Sequence, residues 1–288
     1  MTNNRNTRAT KAQETLNIIE NGYYYVSDKK IQLNDSIEKS VEATRLYTPD
    51  SFKNVACDVE QLLKEREYQT VIEVVNCTSM EAAEKLVKEE GRVGCLNFAS
   101  AKNPGGGFLG GSQAQEESLA RASTLYPTLM KYFTEMYEYN RSQNTCLYSD
   151  YMIYSPDVVF FKDDNDNLLA DPYNMNVLTS PAVNVGAMRQ NNRYDELKKS
   201  EQVMLERIDK LLSVFLLQGV EKLILGAWGC GVFKNDPKDI ARYFAHYFTK
   251  NGTYASAFKH IVFAVFDRSK TLENIRAFEN VFIKKNTR

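Results

Sequence analysis

Gln115, Glu116 and Glu117 set an amide and two carboxylates at consecutive positions, beyond a seven-residue spacer from the run Gly105-Gly106-Gly107. A carboxyl group beside a scissile bond does general acid–base work. Three consecutive glycines carry an entropic cost that makes sense where backbone bends sharply or lies close against another molecule. Their amides can form a nest for an anion. Carboxylates beside such a nest conflict with it electrostatically, and the conflict points to chemistry rather than packing. If Gln115 opens a helix, successive side chains diverge by about 100°, so the two carboxylates cannot aim at one atom. One then reaches the reacting bond while the other binds a neighbouring hydroxyl. A helix N-terminus favours the charged carboxylate. A general acid needs the opposite shift, which burial and the charge of a bound anion would supply.

A second glycine-rich loop, Trp228-Gly229-Cys230-Gly231-Val232-Phe233, follows the apolar run over 222–227, just as the first follows the apolar run over 93–98. Both loops are expected at the C-terminal ends of strands, where open α/β sheets bind ligands. Two nests facing one cleft suit a diphosphate better than a single phosphate. No Gly-Lys-Ser/Thr follows either loop, which argues against the phosphate loop of nucleoside triphosphatases. Gly105, Gly107 and Gly110 have the spacing of a dinucleotide fingerprint, but no acidic residue ends a following second strand.

The flanking pattern predicts what positions these loops. A β-branched run over 70–75 reads as a buried strand, 80–91 as a helix and 93–98 as the next strand, a βαβ unit that predicts a parallel sheet with helices on its faces. Further strands are expected at 152–155, 158–161 and 176–180, and a helix over 116–136 interrupted at Pro127. The acidic turn over 163–167 reads as a hairpin loop, since it lacks the glycine and the twelfth-position glutamate of a calcium loop. The longest helix spans 194–218, and its apolar stripe of Met204, Ile208, Leu211 and Phe215 is core. A strand over 222–227, a helix opened by Asp236-Pro237 and running to 250, and a strand over 261–266 make a second βαβ unit, before a final helix over 272–283. Ahead of all this, 1–9 reads as a disordered lead-in, 11–19 as a helix stopped by Gly22, 23–26 with 31–33 as a hairpin, and 59–65 as weakly helical. The expected organisation is an accessory extension over 1–69 and a core over 70–288, forming one structural unit.

Composition narrows the function classes. A formal net charge of −1 sets up no global basic field, so sequence-specific nucleic-acid binding is not expected, and an anionic ligand must be held locally. Cys57, Cys77, Cys95, Cys146 and Cys230 are scattered and odd in number, without a C-x-x-C pair. That favours a reducing compartment over a disulfide framework or structural zinc. The polar N-terminus has no signal-peptide pattern, and no apolar run approaches the roughly 20 residues of a membrane span. The expected location is intracellular, cytoplasmic or nuclear, with no membrane partner.

Gly105-Gly106-Gly107 followed by Gln115-Glu116-Glu117 resembles the GGG…QEE signature of poly(ADP-ribose) glycohydrolases. Asn103-Pro104 before the glycines, and Gly226-Ala-Trp-Gly-Cys-Gly-Val-Phe233 with Asn235-Asp-Pro237, resemble the compact microbial-type branch. The likeness extends over most of the chain. It implies a macrodomain-like three-layer α/β/α sandwich with a mixed, largely parallel sheet and an N-terminal helical and hairpin extension. It implies a hydrolase that reverses ADP-ribosylation by cleaving the ribose–ribose bond of poly(ADP-ribose) and releasing ADP-ribose. Carried over by position, Glu117 would be the general acid/base and Glu116 would hold ribose hydroxyls, with Gln115 supporting the site. Asn103 would contact the terminal ribose and Phe233 pack on it. Gly105, Gly106 and Gly107, with Gly229, Cys230, Gly231 and Val232, would cradle the diphosphate. No metal or cofactor is implied, and His246 and His260 are expected to be structural. Two alternatives stay open: a macrodomain reader that binds ADP-ribose without cleaving it, and a hydrolase of mono(ADP-ribosyl) groups on protein or nucleic acid.

Overall fold

A computed structural model describes residues 4–283 of the chain. Asn4 caps the first helix, α1 (Arg5–Asn21), by accepting from the Thr7 amide, and Gly22 ends it in the left-handed conformation at φ 73°. The lead-in expected to be disordered is therefore helical from Arg5 onward; residues 1–3 lie outside the described ones. The strands β1 (Tyr23–Val26) and β2 (Lys29–Gln32) pair as an antiparallel hairpin. Beyond it, α2 (Asn34–Ala43) leads into β3 (Arg45–Tyr47). A Thr48/Ser51 capping box and Pro49 at the first position start α3 (Pro49–Glu65), a longer helix than the one expected over 59–65.

Next come β4 (Val71–Val75), α4 (Ser79–Leu86) and β5 (Val93–Phe98), then α5 (Gln115–Ala122), α6 (Leu125–Met130), a π-helical segment Phe133–Glu138 and α7 (Tyr139–Ser142). The last four strands and four helices are β6 (Met152–Lys162), β7 (Leu168–Ser180), α8 (Val185–Gln190), α9 (Tyr194–Leu217), β8 (Lys222–Leu225), α10 (Pro237–Phe248), β9 (His260–Ala264) and α11 (Glu273–Phe282). Two expected strands at 152–155 and 158–161 are one strand, β6, with a register shift between Ser155 and Val158. Pro156 and Asp157 fill that shift, where proline's missing N–H is tolerated.

Seven strands form one sheet in the order β3-β6-β7-β5-β8-β9-β4. The β3·β6 and β6·β7 pairs are antiparallel and the other four are parallel, so the sheet is mixed and largely parallel, as expected. Side chains alternate between its faces. Leu96, Leu178, Leu223 and Ile261 enter a core covered by α3 and α8 to α11. Cys95, Val177, Ile224 and Val262 enter another core, covered by α4 to α6. Helices on both faces make three layers.

The strand order corrects one reading. β4 is not a buried strand but the edge strand, with Val71 51% exposed, and β8 and β9 separate it from β5. A β-branched run identifies a strand without locating it in the sheet. Within residues 1–69, β3 bonds to β6 at the opposite edge, and α1 lies against the first glycine loop.

Candidate active site

At the end of β5 the chain turns through Ser100 and Asn103 into the glycine loop. Gly105 and Gly106 are consecutive left-handed residues, at φ 69° and 62°. A Cβ on Gly106 would stand 2.4 Å from Glu117 Oε1 and 3.0 Å from Glu116 Oε2. Only a residue without a side chain lets the loop close this tightly over the first turn of α5. The diverging stems of the two glutamates therefore bend back to the same glycine. Their carboxyl oxygens still take different partners, Gly107 N for Glu117 and Ser100 N for Glu116.

The loop amides serve these carboxylates. Gly107 N donates to Glu117 Oε1 at 3.0 Å, Ser100 N to Glu116 Oε2 at 2.6 Å, and Asn97 Nδ2 approaches Glu116 Oε1 at 3.4 Å. Gly106 N is used within the turn, on Asn103 O at 2.9 Å. Gln115 ties α5 to β5: its Oε1 accepts from Phe98 N at 2.9 Å and its Nε2 donates to Leu96 O at 2.8 Å. The Asn103 Oδ1 accepts from Arg141 Nη2 at 3.0 Å, which leaves its amide nitrogen to donate elsewhere.

Glu116 is buried, and that burial pushes its carboxyl well above the ordinary range, the Ser100 amide opposing and the Glu117 charge adding to the rise. The folded state thus keeps this proton to higher pH than the unfolded chain, whose glutamates titrate near about 4.3. Its contribution to stability is fully present below that value and is lost as pH rises toward the raised folded pKa. A Glu116→Gln variant lacks the titrating group. Its melting temperature minus that of the wild type is expected to grow with pH through this window. Thermal melts across the window check it, and a difference that shrinks with pH contradicts it.

The second loop folds differently. Gly226 follows β8 and lies so close to β9 that a Cβ would be 2.5 Å from Ala264 O. Trp228 is fully buried, its Nε1 donating to Ser180 O at 3.1 Å, and so anchors the loop. Gly229 is left-handed at φ 75°, and a Cβ on it would meet Ala182 Cβ at 2.6 Å. The turn is closed by Cys230 N to Ala227 O at 3.1 Å and Asn235 N to Gly229 O at 3.1 Å. Among the described residues, the amides of Gly229, Gly231, Val232 and Phe233 make no internal hydrogen bond. They remain available to an anion.

A cavity of about 330 Å³ lies between the two loops, within the range of small-molecule sites. It is bordered by Asn103, Gly106, Gly107, Gln115, Glu116, Glu117, Gly229, Gly231, Val232 and Phe233. Of the expected site residues, Gly105 and Cys230 do not border it. Gly105 turns inward, where a Cβ would be 2.9 Å from the Phe108 ring. Cys230 spends its amide on Ala227, its sulfur lies 3.9 Å from Trp228 O, and burial pushes its thiol well up. Contacts that the sequence reading missed are Phe98, Ala99, Ser100, Ala114, Ala182 and Ala227. Their positions at strand and loop ends carried a signal; the residue types did not. The histidines lie elsewhere, His246 beside the Tyr247 ring at 4.9 Å and His260 at 3.4 Å from Glu73. Among the described residues no cluster of three or more His, Cys, Asp or Glu could hold a metal ion, and no helix is long and apolar enough to cross a membrane.

Residues 12–163 match the family described as microbial-type PARG, catalytic domain. The chain is similar to the solved structure of poly(ADP-ribose) glycohydrolase from Thermomonospora curvata, with 39% identity over 96% of this chain and 100% of that one, at a TM-score of 0.88. The same enzyme bound to the inhibitor ADP-HPD gives 40% identity over 96% of this chain and 99% of that one, at 0.86. The Deinococcus radiodurans enzyme in complex with ADP-ribose gives 40% identity over 86% of this chain and 97% of that one, at 0.79. No curated protein matches the chain.

Proposed function

Since the chain belongs to the microbial-type poly(ADP-ribose) glycohydrolase family, we propose that its reaction runs on the carboxyl of Glu117. The protein is a glycosidase: it hydrolyses the ribose–ribose O-glycosidic bond of poly(ADP-ribose) and releases ADP-ribose. The observation that carries the assignment of Glu117 is its place at the cavity wall, one oxygen held by the Gly107 amide at 3.0 Å. Among the described residues its Oε2 has no partner, and this oxygen faces the task of proton transfer.

In this reading the diphosphate sits on the free amides of Gly229, Gly231, Val232 and Phe233, and the ribose of the scissile bond lies toward α5. Phe233 packs on the terminal ribose, with its ring 5.7 Å from that of Tyr148. Asn103 donates its amide to that ribose. The protonated Glu117 gives its proton to the leaving ribose oxygen as the glycosidic bond breaks and positive charge develops at the anomeric carbon. Glu117, now a carboxylate, takes a proton from the water that attacks this carbon, so the hydroxyl joins the sugar and the acid is restored. Glu116, kept neutral by burial, hydrogen-bonds a neighbouring hydroxyl without adding a second charge. The triple glycine acts through the glutamates it holds, and Gln115 through the helix it anchors. Residues 1–69 serve as an extension of one unit whose core is 70–288. The scattered, unpaired cysteines support a reducing, cytoplasmic or nuclear setting.

Incubation with labelled poly(ADP-ribose), and in parallel with mono(ADP-ribosyl) protein and nucleic acid, tests this reading. Free ADP-ribose is expected from the polymer, faster than from either mono-modified substrate. Faster turnover of a mono-modified substrate contradicts the substrate class. Binding of ADP-ribose without release from any of them makes the protein a reader.

A further inference from the structure

We propose that Arg5 and Arg8 of α1 are positioning residues for the reaction: they clamp the glycine loop from outside and thereby set the place of Glu117. The inference rests on the role given to Glu117 above. Arg5 Nε donates to Gly110 O at 2.8 Å and Arg8 Nε to Gly111 O at 2.8 Å. The helix and loop backbones are in direct contact there. Gly111 is left-handed at φ 73°, and a Cβ on it would stand 2.0 Å from Arg5 O and 3.1 Å from Ala9 N. No other residue type fits between them.

The clamp is built on a fixed base. Ala12 of α1, Phe108 of the loop and Ala120 of α5 share a small apolar cluster. Further along α1, the Thr15 hydroxyl donates to Arg121 O at the end of α5 and accepts from Lys162 Nζ at 2.9 Å. That lysine is fully buried and also donates to Lys11 O at 3.0 Å, so α1 is bolted to β6 as well as to α5.

From the clamp to the carboxylate is a short path. The carbonyl of Gly107 accepts from Gly110 N at 3.1 Å and from Ser112 N at 3.1 Å, which ties the 107–108 peptide, next to the one that carries the Gly107 N–H, to the clamped turn. The N–H of that same residue holds Glu117 Oε1 at 3.0 Å. Arginine suits the task because its rigid planar fork keeps direction, whereas a lysine holds a carbonyl only as a point charge. Without the clamp the buried Phe108 ring and the bond from Arg121 Nη1 to Ser112 O at 3.1 Å still hold the loop, but Gly110 and Gly111 lose their outer anchors and the Gly107 amide is less firmly directed. The diphosphate amides, on the opposite wall, do not depend on it.

The test is the Arg5→Ala/Arg8→Ala double variant of the full chain, beside Arg5→Lys/Arg8→Lys and Glu117→Gln. Misplacement of a catalytic group lowers kcat, here by roughly tenfold, with the Kd for ADP-ribose and the melting temperature near those of the wild type. The lysine variant is expected to recover part of kcat, and exchange of the Gly107 amide with solvent is expected to quicken only in the alanine variant. A wild-type kcat in the alanine variant overturns the proposal. So does unfolding at the assay temperature, or a loss of kcat matched by the loss of ADP-ribose binding and unrelieved by lysine, since either makes the contact merely structural. If Glu117→Gln itself retains full activity, the failure belongs to the assignment of Glu117 and not to the clamp.

Discussion

Glu117→Gln is expected to lower kcat on poly(ADP-ribose) by about 10²–10⁴-fold, the usual contribution of a positioned acid–base group, while ADP-ribose still binds with near wild-type affinity. Glutamine keeps the oxygen that accepts from Gly107 N, so the loop and helix stay in register, yet it has no proton to give and none to take. The diphosphate amides lie on the other loop, which is why affinity survives. Glu116→Gln is the contrasting case. Burial already favours the neutral form of Glu116, so an uncharged isostere resembles what the folded protein holds, and the loss of kcat is expected to be smaller. Initial rates of ADP-ribose release, paired with calorimetric titration of ADP-ribose, separate the two. If Glu116→Gln is the more damaging substitution, the roles of the glutamates are reversed.

Gly106→Val is expected to abolish most activity without any change in an ionisable group. At φ 62° the position is left-handed, where an L-residue costs roughly 1–2 kcal/mol and a β-branched one is worse placed. The larger effect is local. The new Cβ would fall 2.4 Å from Glu117 Oε1, so the carboxylate must leave the Gly107 amide. A displacement of this kind costs kcat about a hundredfold. Gly231→Ala provides the measure of stability: a Cβ there meets nothing within 4 Å, and its melting temperature is expected to match the wild type. Activity and thermal melts of the two variants check the pair. Near wild-type kcat in Gly106→Val would mean that the close approach at Gly106 is incidental.

The parts of the site legible in the sequence are those whose chemistry is local. Gly105 to Gly107 and Gln115 to Glu117 state a tight turn and a carboxylate pair in adjoining residues. Asp236 followed by Pro237 states the start of α10, where Asp236 caps the helix by accepting from Lys238 N. What the sequence did not carry is direction. Nothing in three glycines says that Gly107 N turns to Glu117 instead of to a ligand, nor that Cys230 turns its sulfur inward while Gly229 and Gly231 on either side of it face the cavity. Those outcomes depend on φ angles set by packing across the loop. Nor was long-range placement legible. The β-branched strand β4 reads the same at an edge as at the centre, and β3 joins the sheet only because Arg45 to Tyr47 meet Met152 to Tyr154 of β6, a pairing across more than a hundred residues. Ala182 belongs to the site solely because β7 ends beside Gly229.

A crystal structure of the wild-type protein with ADP-ribose bound tests the central claim most directly, through the distance from the Glu117 carboxyl to the hydroxyl on the anomeric carbon of the terminal ribose, the oxygen that water supplies. That distance is expected to be within hydrogen-bond reach, about 2.6–3.2 Å, with the diphosphate on the amides of Gly229 to Phe233 and Glu116 on a neighbouring hydroxyl. An anomeric hydroxyl out of reach of Glu117 and held instead by Glu116, or a diphosphate seated away from the second loop, would contradict the account.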